Sequence, residues 1–101
     1  MKQIINGKLY DTDTATCLGS YCYGNYGDFH HVSEELYQKK NGEFFLAGEG
    51  GPLSEYAVQT DTNSWSGGEQ IIPYSENEAR CWAEEHMSAD EYIDVFGDVE
   101  E

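Results

Sequence analysis

Two helix starts in close succession constrain this chain more than any other feature of its sequence. Within SENEARCWAEEHMSADEYIDVFGDVEE (75–101), Ser75 with Glu78 and Ser88 with Glu91 each fit a capping box. In that motif a hydroxyl and a carboxylate satisfy backbone N–H groups that the first helical turn leaves unpaired. Behind the first start, Ala79, Trp82, Ala83 and His86 recur at i, i+3, i+4 and i+7, and behind the second Ala89, Tyr92, Ile93 and Phe96 do the same. Such spacing gathers each set on one side of a 3.6-residue helix, so two amphipathic helices are predicted, each with a stripe to bury. The other positions are largely carboxylates. Glu84, Glu85, Asp90, Glu91, Asp94, Asp98, Glu100 and Glu101 point away from the stripes or lie in the tail, opposed only by Arg80.

The helices need a surface to cover, and the middle of the chain supplies one. In EELYQKKNGEFFLAGEG (34–50), two runs, about Glu35–Lys39 and Glu43–Ala47, flank Asn41-Gly42, the strongest short-range hairpin signature. Phe44, Phe45 and Leu46 form the continuous apolar run that a central strand buried on both faces accepts. A second Asn-Gly pair, Asn6-Gly7 between Ile4-Ile5 and Leu9-Tyr10, predicts a small hairpin at the start. Asp11 or Thr12 is expected to cap a short helix with Ala15 and Leu18 inward and Gly19 at its end. Residues 21–33 read as a loop or irregular strand presenting Tyr21, Tyr23 and Tyr26. Gly48, Gly50, Gly51 and Pro52 read as a break, Leu53–Val58 as a helical turn or an extended segment, and 59–68 as loop. Glu69–Pro73 is a last short strand, its proline suited to an edge or an end. The expectation is one α+β domain over 1–101: a small antiparallel sheet of three to five strands covered by two C-terminal helices. Trp82, Ile93 and Phe96 would pack on Phe44 or Phe45, Leu46, and Ile71 or Ile72.

Charge is the outlying quantity. Twenty Asp and Glu against five Lys and Arg give −15, distributed unevenly: residues 1–40 carry −1 and residues 41–101 carry −14. Self-repulsion on that scale opposes compaction. Solubility is one reason to retain it, and a basic partner is another. Direct binding to nucleic acid is disfavoured, because phosphates need Lys and Arg and there is no basic patch. Eight Tyr, four Phe and two Trp provide for a core. Three cysteines, Cys17, Cys22 and Cys81, cannot all pair within one chain. Without a signal-peptide core or a run near ~18 apolar residues, the thiols are expected reduced and the location cytoplasmic, with no membrane association.

The chemistry of catalysis is poorly represented. Cys17, Cys22, His30 and His31 give one loose Cys pair and two adjacent His side chains that diverge in an extended segment, whereas zinc favours close pairs. A metal or enzymatic site on Cys22, His30 and His31 is therefore the minor alternative. Asp11 and Asp13 begin a calcium-loop pattern that Ala15 interrupts. Cys81 and His86, five apart, face different ways on a helix. The Glu34-Glu35 and Glu84-Glu85 pairs read as solvated charge, and GEGG (48–51) lacks the Lys of a phosphate loop. No cofactor and no catalytic residue is predicted. The acid surface carries more weight: Asp90, Asp94 and Asp98, at about 6 Å per helical step of four, would form a row of charges comparable to phosphates at ~3.4 Å per strand, if the helix runs past Gly97. Tyr21, Tyr23 and Tyr26 offer a second contact type, or else cover the free face of the sheet.

With these segments placed, the chain resembles a type of small acidic protein from phages and mobile elements of Gram-positive bacteria. The matching stretches are YDTDTATCLGSY (10–21), ELYQKKNGEFFLAGEGG (35–51), LSEYA (53–57) and AEEHMSADEYIDVFGDVEE (83–101). Domains of this kind are similar to sequences associated with anti-CRISPR proteins. The resemblance implies binding to a CRISPR effector, either Cas9 with its guide RNA or a multisubunit Cascade complex, inside the bacterial host cell, and transfers no individual binding residue. From the residues, the expected contact surface is Glu84, Glu85, Asp90, Glu91, Asp94 and Asp98, with Tyr21, Tyr23 and Tyr26 as the aromatic alternative. The function expected is that of a DNA-mimicking inhibitor.

Overall fold

The computed structural model describes residues 1–24, 31–51, 56–61 and 64–97. Both Asn-Gly pairs make hairpins, in two different ways. Strands β1 (Lys2–Ile5) and β2 (Lys8–Asp11) pair antiparallel with Ile5 opposite Lys8. Asn6 and Gly7 both adopt positive φ, 53° and 77°, as a two-residue turn matched to strand twist requires. At the second, β4 (Val32–Gln38) and β5 (Phe44–Gly50) are joined by a longer loop. The Gly42 N–H donates to the Lys39 carbonyl (2.9 Å), the Lys39 N–H donates to the Glu43 carbonyl (2.8 Å), and Gly42 alone turns left-handed at φ 94°. Asn41 serves here through its side chain, whose Oδ1 accepts the Glu43 N–H at 3.0 Å.

Four antiparallel strands form the main sheet in the order β3 (Thr16–Tyr23), β4, β5, β8 (Gly68–Tyr74), followed by α1 (Glu76–His86) and α2 (Ala89–Phe96). The α+β architecture is as the sequence implies. Pro73 lies on β8, an edge strand, where a missing N–H is tolerated. Strand alternation splits the core in two. Phe44 and Leu46 join Leu36, Ala79 and Trp82 beneath the helices. Phe45 and Ala47 join Tyr37, Ile71 and Tyr10 on the opposite face, where the β1–β2 hairpin forms the cover. Phe45 is wholly buried, stacked on Tyr37 (5.3 Å between ring centres) and met edge-on by Tyr10 (5.5 Å). The first hairpin, rather than a tyrosine cluster, therefore covers the face the helices leave open.

Several expectations are overturned. No helix follows Asp11: its carbonyl accepts one N–H, from Ala15 (3.1 Å), its Oδ1 takes the Asp13 N–H (2.9 Å), and the chain then extends into β3. Thr12, Thr14 and Thr16 are stiff at χ1 and disfavour helix, while β4 offers β3 a partner along its length. Tyr21 to Tyr23 are thus regular strand. Gly48 and Gly50 do not break β5. A Cβ on Gly48 would fall inside the Tyr56 ring, so the glycine admits that ring against the strand. The loop expected at 59–68 contains two short paired strands, β6 (Val58–Asp61) and β7 (Ser64–Ser66), whose pairing uses backbone groups that composition does not report. Ile93 is 37% exposed instead of packed on the sheet. Short α2 turns Tyr92 and Phe96 toward Arg80 and Phe44, and Ile93 makes no entry into the buried core.

The Glu34-Glu35 pair is split as strand geometry demands, but Glu34 is not solvated. It is 7% exposed. The Tyr56 hydroxyl donates to Oε2 and Trp82 Nε1 donates to Oε1 at 3.2 Å. Replacing Glu34 with Ala removes the acceptor that both of these buried side chains use. At about 1–3 kcal/mol each, the expected loss is roughly 2–6 kcal/mol in urea unfolding, with Glu34→Gln, which keeps one acceptor oxygen, losing less. Equal losses for the two variants would show that the acceptors are not what the site needs.

Candidate functional site

The two capping boxes form as read, and they set the outer surface of the helical layer. Ser75 Oγ accepts the Glu78 N–H (3.2 Å) while Glu78 Oε1 accepts the Ser75 N–H (3.0 Å). Ser88 and Glu91 repeat the exchange at 3.2 and 3.1 Å. Only Met87 and Ser88 separate the helices, so α2 begins where α1 is capped. With Ala79, Trp82 and Ala83 buried, Glu84, Glu85, Asp90, Glu91 and Asp94 are all held exposed.

These carboxylates are not equivalent. Glu91 and Glu78 are engaged in the caps. Glu76 pairs with Arg80 (3.5 Å), and Glu85 approaches His86 Nε2 at 3.7 Å. Glu84, Asp90 and Asp94 have no ion pair among the described residues. Arg80, the one Lys or Arg of residues 41–101, is turned inward. Its Nη1 donates to the Tyr92 hydroxyl (3.3 Å) and its guanidinium lies 4.9 Å from the Phe96 ring. The Tyr92 hydroxyl first, and Glu76 after it, hold the Arg80 proton more tightly than usual. The helix expected to carry the row past Gly97 stops before it. The helix ends at Phe96, Gly97 caps it at φ 89° with its N–H on the Ile93 carbonyl (2.8 Å), and Asp98 lies outside the described residues.

The aromatic alternative also divides. Tyr21 and Tyr23 share the helix-side face of β3, yet Tyr21 is half-buried and stacked on the His86 ring at 4.0 Å, and so belongs to the core. Tyr23 is 58% exposed, and Tyr26 lies outside the described residues. Cys22 points to the opposite face, with its Sγ 3.6 Å from Ser33 Oγ. His31 borders a shallow hollow of about 320 Å³ with Glu49 and Glu69, and His30 lies outside the described residues. Among the described residues no three His, Cys, Asp or Glu side chains gather as a metal would need.

Two features escaped the sequence reading. One is Glu34, which shares its strand parity with inward-facing Leu36, a signal that was present in the alternation. The other is a cleft between α1 and α2, about 450 Å³, walled by Ala83, Met87, Ala89, Tyr92 and Ile93. It exists because α2 buries none of its own residues fully. No protein-family model matches this chain, and no curated protein or solved structure matches it. No helix among the described residues is long and apolar enough to cross a membrane.

On the hairpin side, Glu35 Oε2 accepts from the Tyr37 hydroxyl (3.2 Å) and from Cys17 Sγ (3.6 Å). Burial first, and the Glu35 charge second, push the Tyr37 hydroxyl up to about 12 and raise the Cys17 thiol. The folded protein thus retains a phenol proton that the unfolded chain releases near 10. Stability from this group is complete below about 10 and is lost as pH rises toward about 12. Urea midpoints measured across that window are expected to fall with pH in the native sequence and to fall less steeply in Tyr37→Phe.

Proposed function

We propose that this protein is a non-enzymatic inhibitor of the anti-CRISPR type. Its acidic helical layer occupies the cationic nucleic-acid channel of a CRISPR effector, Cas9 with its guide RNA or Cascade, and excludes target DNA. The observation carrying this reading is the exposed set Glu84, Asp90 and Asp94, unpaired among the described residues, on a layer whose single arginine is turned inward. An Arg- and Lys-lined groove built for phosphates attracts such a surface over long range and loses it as salt screens the field. The sequence resemblance over 10–21, 35–51, 53–57 and 83–101 directs the proposal to CRISPR effectors. The channel of the effector supplies the cations, so the protein itself needs no affinity for DNA.

Reversing Glu84, Glu85, Asp90 and Asp94 to Lys, with Glu91 kept because it caps α2, is expected to weaken effector binding by at least about a hundredfold. Urea stability should change little. Affinity of the native sequence should drop steeply between low and physiological salt. Inhibition of target-DNA binding that survives the four reversals would remove the proposal. A second reading, a protein-binding module acting through the 21–27 segment by steric or allosteric means, is favoured by the exposure of Tyr23 at the end of edge strand β3. In that case Tyr23→Ala abolishes binding and salt leaves it nearly unchanged.

A further inference from the structure

We infer that the cleft between α1 and α2 receives the apolar side chain of a basic amphipathic helix presented by a partner protein. Its wall is apolar over Ala83, Met87, Ala89, Tyr92 and Ile93, with Glu84 and Ser88 completing it. Ile93, expected to be core, instead leaves 37% of its surface to solvent there. The Met87–Ser88 joint and the two capping boxes hold both walls in place, so the hollow is formed before anything enters it. Grooves between paired helices of this kind accept an amphipathic helix through its spaced apolar side chains.

Charge decides the occupant. Glu84 stands in the wall, and Asp90 and Asp94 lie on α2 outside the lining; all three are exposed and unpaired among the described residues. A second copy of the chain, itself −15, would set those carboxylates against their own images across a two-fold interface. A neutral apolar segment would cover Ile93 and leave the acids with no counter-charge. A helix carrying a Leu- or Met-sized knob flanked by Lys or Arg satisfies the apolar wall and Glu84 together, with Asp90 and Asp94 adding to its attraction over longer range. The cleft is then the apolar half of the contact face proposed above, and depends on that face being used.

Two labelled peptides of equal length and charge, an amphipathic Leu/Lys helix and its scrambled isomer, separate the apolar contribution from the electrostatic one in fluorescence anisotropy. The full chain is expected to bind the amphipathic peptide about tenfold more tightly than the scrambled one, the effect of covering an isoleucine-sized contact. Ile93→Ser should abolish that preference and leave scrambled-peptide binding unchanged. Ala89→Arg, at an exposed position on the same wall, gives an independent block should Ile93→Ser fold poorly. Equal affinity for the two peptides overturns the cleft and leaves the electrostatic proposal standing. Unaltered binding of both peptides after Glu84→Gln, Asp90→Asn and Asp94→Asn sinks the electrostatic proposal instead. A dimer in sedimentation that Ile93→Ser dissolves would assign the cleft to a second copy and overturn the inference.

Discussion

A carboxylate withdrawn from water is costly unless it is hydrogen-bonded, and Glu34 is placed where two side chains each donate to one of its oxygens. The Tyr56 hydroxyl comes from the segment after β5, the Trp82 indole from α1, and Glu34 itself from β4. One side chain thereby fixes the position of a helix and of a connecting segment relative to the sheet. The arrangement also requires Gly48, opposite Glu34 in the ladder, since the Tyr56 ring occupies the space where any larger residue would put its Cβ. Trp82 supplies both the bulk of the helix-side core and the N–H that reaches the acid. The acidic surface is presented in one orientation because the helices are held by a buried acid.

Local chemistry made much of this legible in advance. Capping boxes, Asn-Gly turns and the Phe44–Leu46 run each report a backbone state through a few adjacent residues, and each element formed where expected. Distance in sequence is what hid the rest. The fate of the segment after Asp11 depended on β4, some twenty residues on, which made strand pairing worth more than a capped turn. Gly48 looked like punctuation because the ring it accommodates belongs to Tyr56. Ile93 fits its stripe as well as Trp82 does. Its exposure follows from α2 leaning on Arg80 and Phe44, a tertiary preference that period alone does not contain.

The candidate surface was legible as composition and less so as geometry. Of the expected row of three aspartates, Asp90 and Asp94 lie on α2, which ends before Gly97. Glu91 proves to be part of the scaffold that displays its neighbours, so acids adjacent on one helix divide between structure and contact. Tyr21 moves from the candidate surface into the core through its stacking on His86. What remains is a narrower group, Glu84, Asp90 and Asp94, of which Glu84 stands in the wall of an apolar hollow.

The layering of the fold gives that group a direction. Four of the five cations, Lys2, Lys8, Lys39 and Lys40, lie on the first hairpin or the β4–β5 turn. Lys8 and Lys39 both reach Glu43 (3.2 and 3.6 Å), and the Lys39 ammonium caps the Tyr10 ring at 3.6 Å. Among the described residues these lysines and the unpaired Glu84, Asp90 and Asp94 thus stand on opposite sides of the main sheet. A separation of charge of that kind, in the field of a positively charged body, feels a torque as well as a pull, one that turns the acidic side forward.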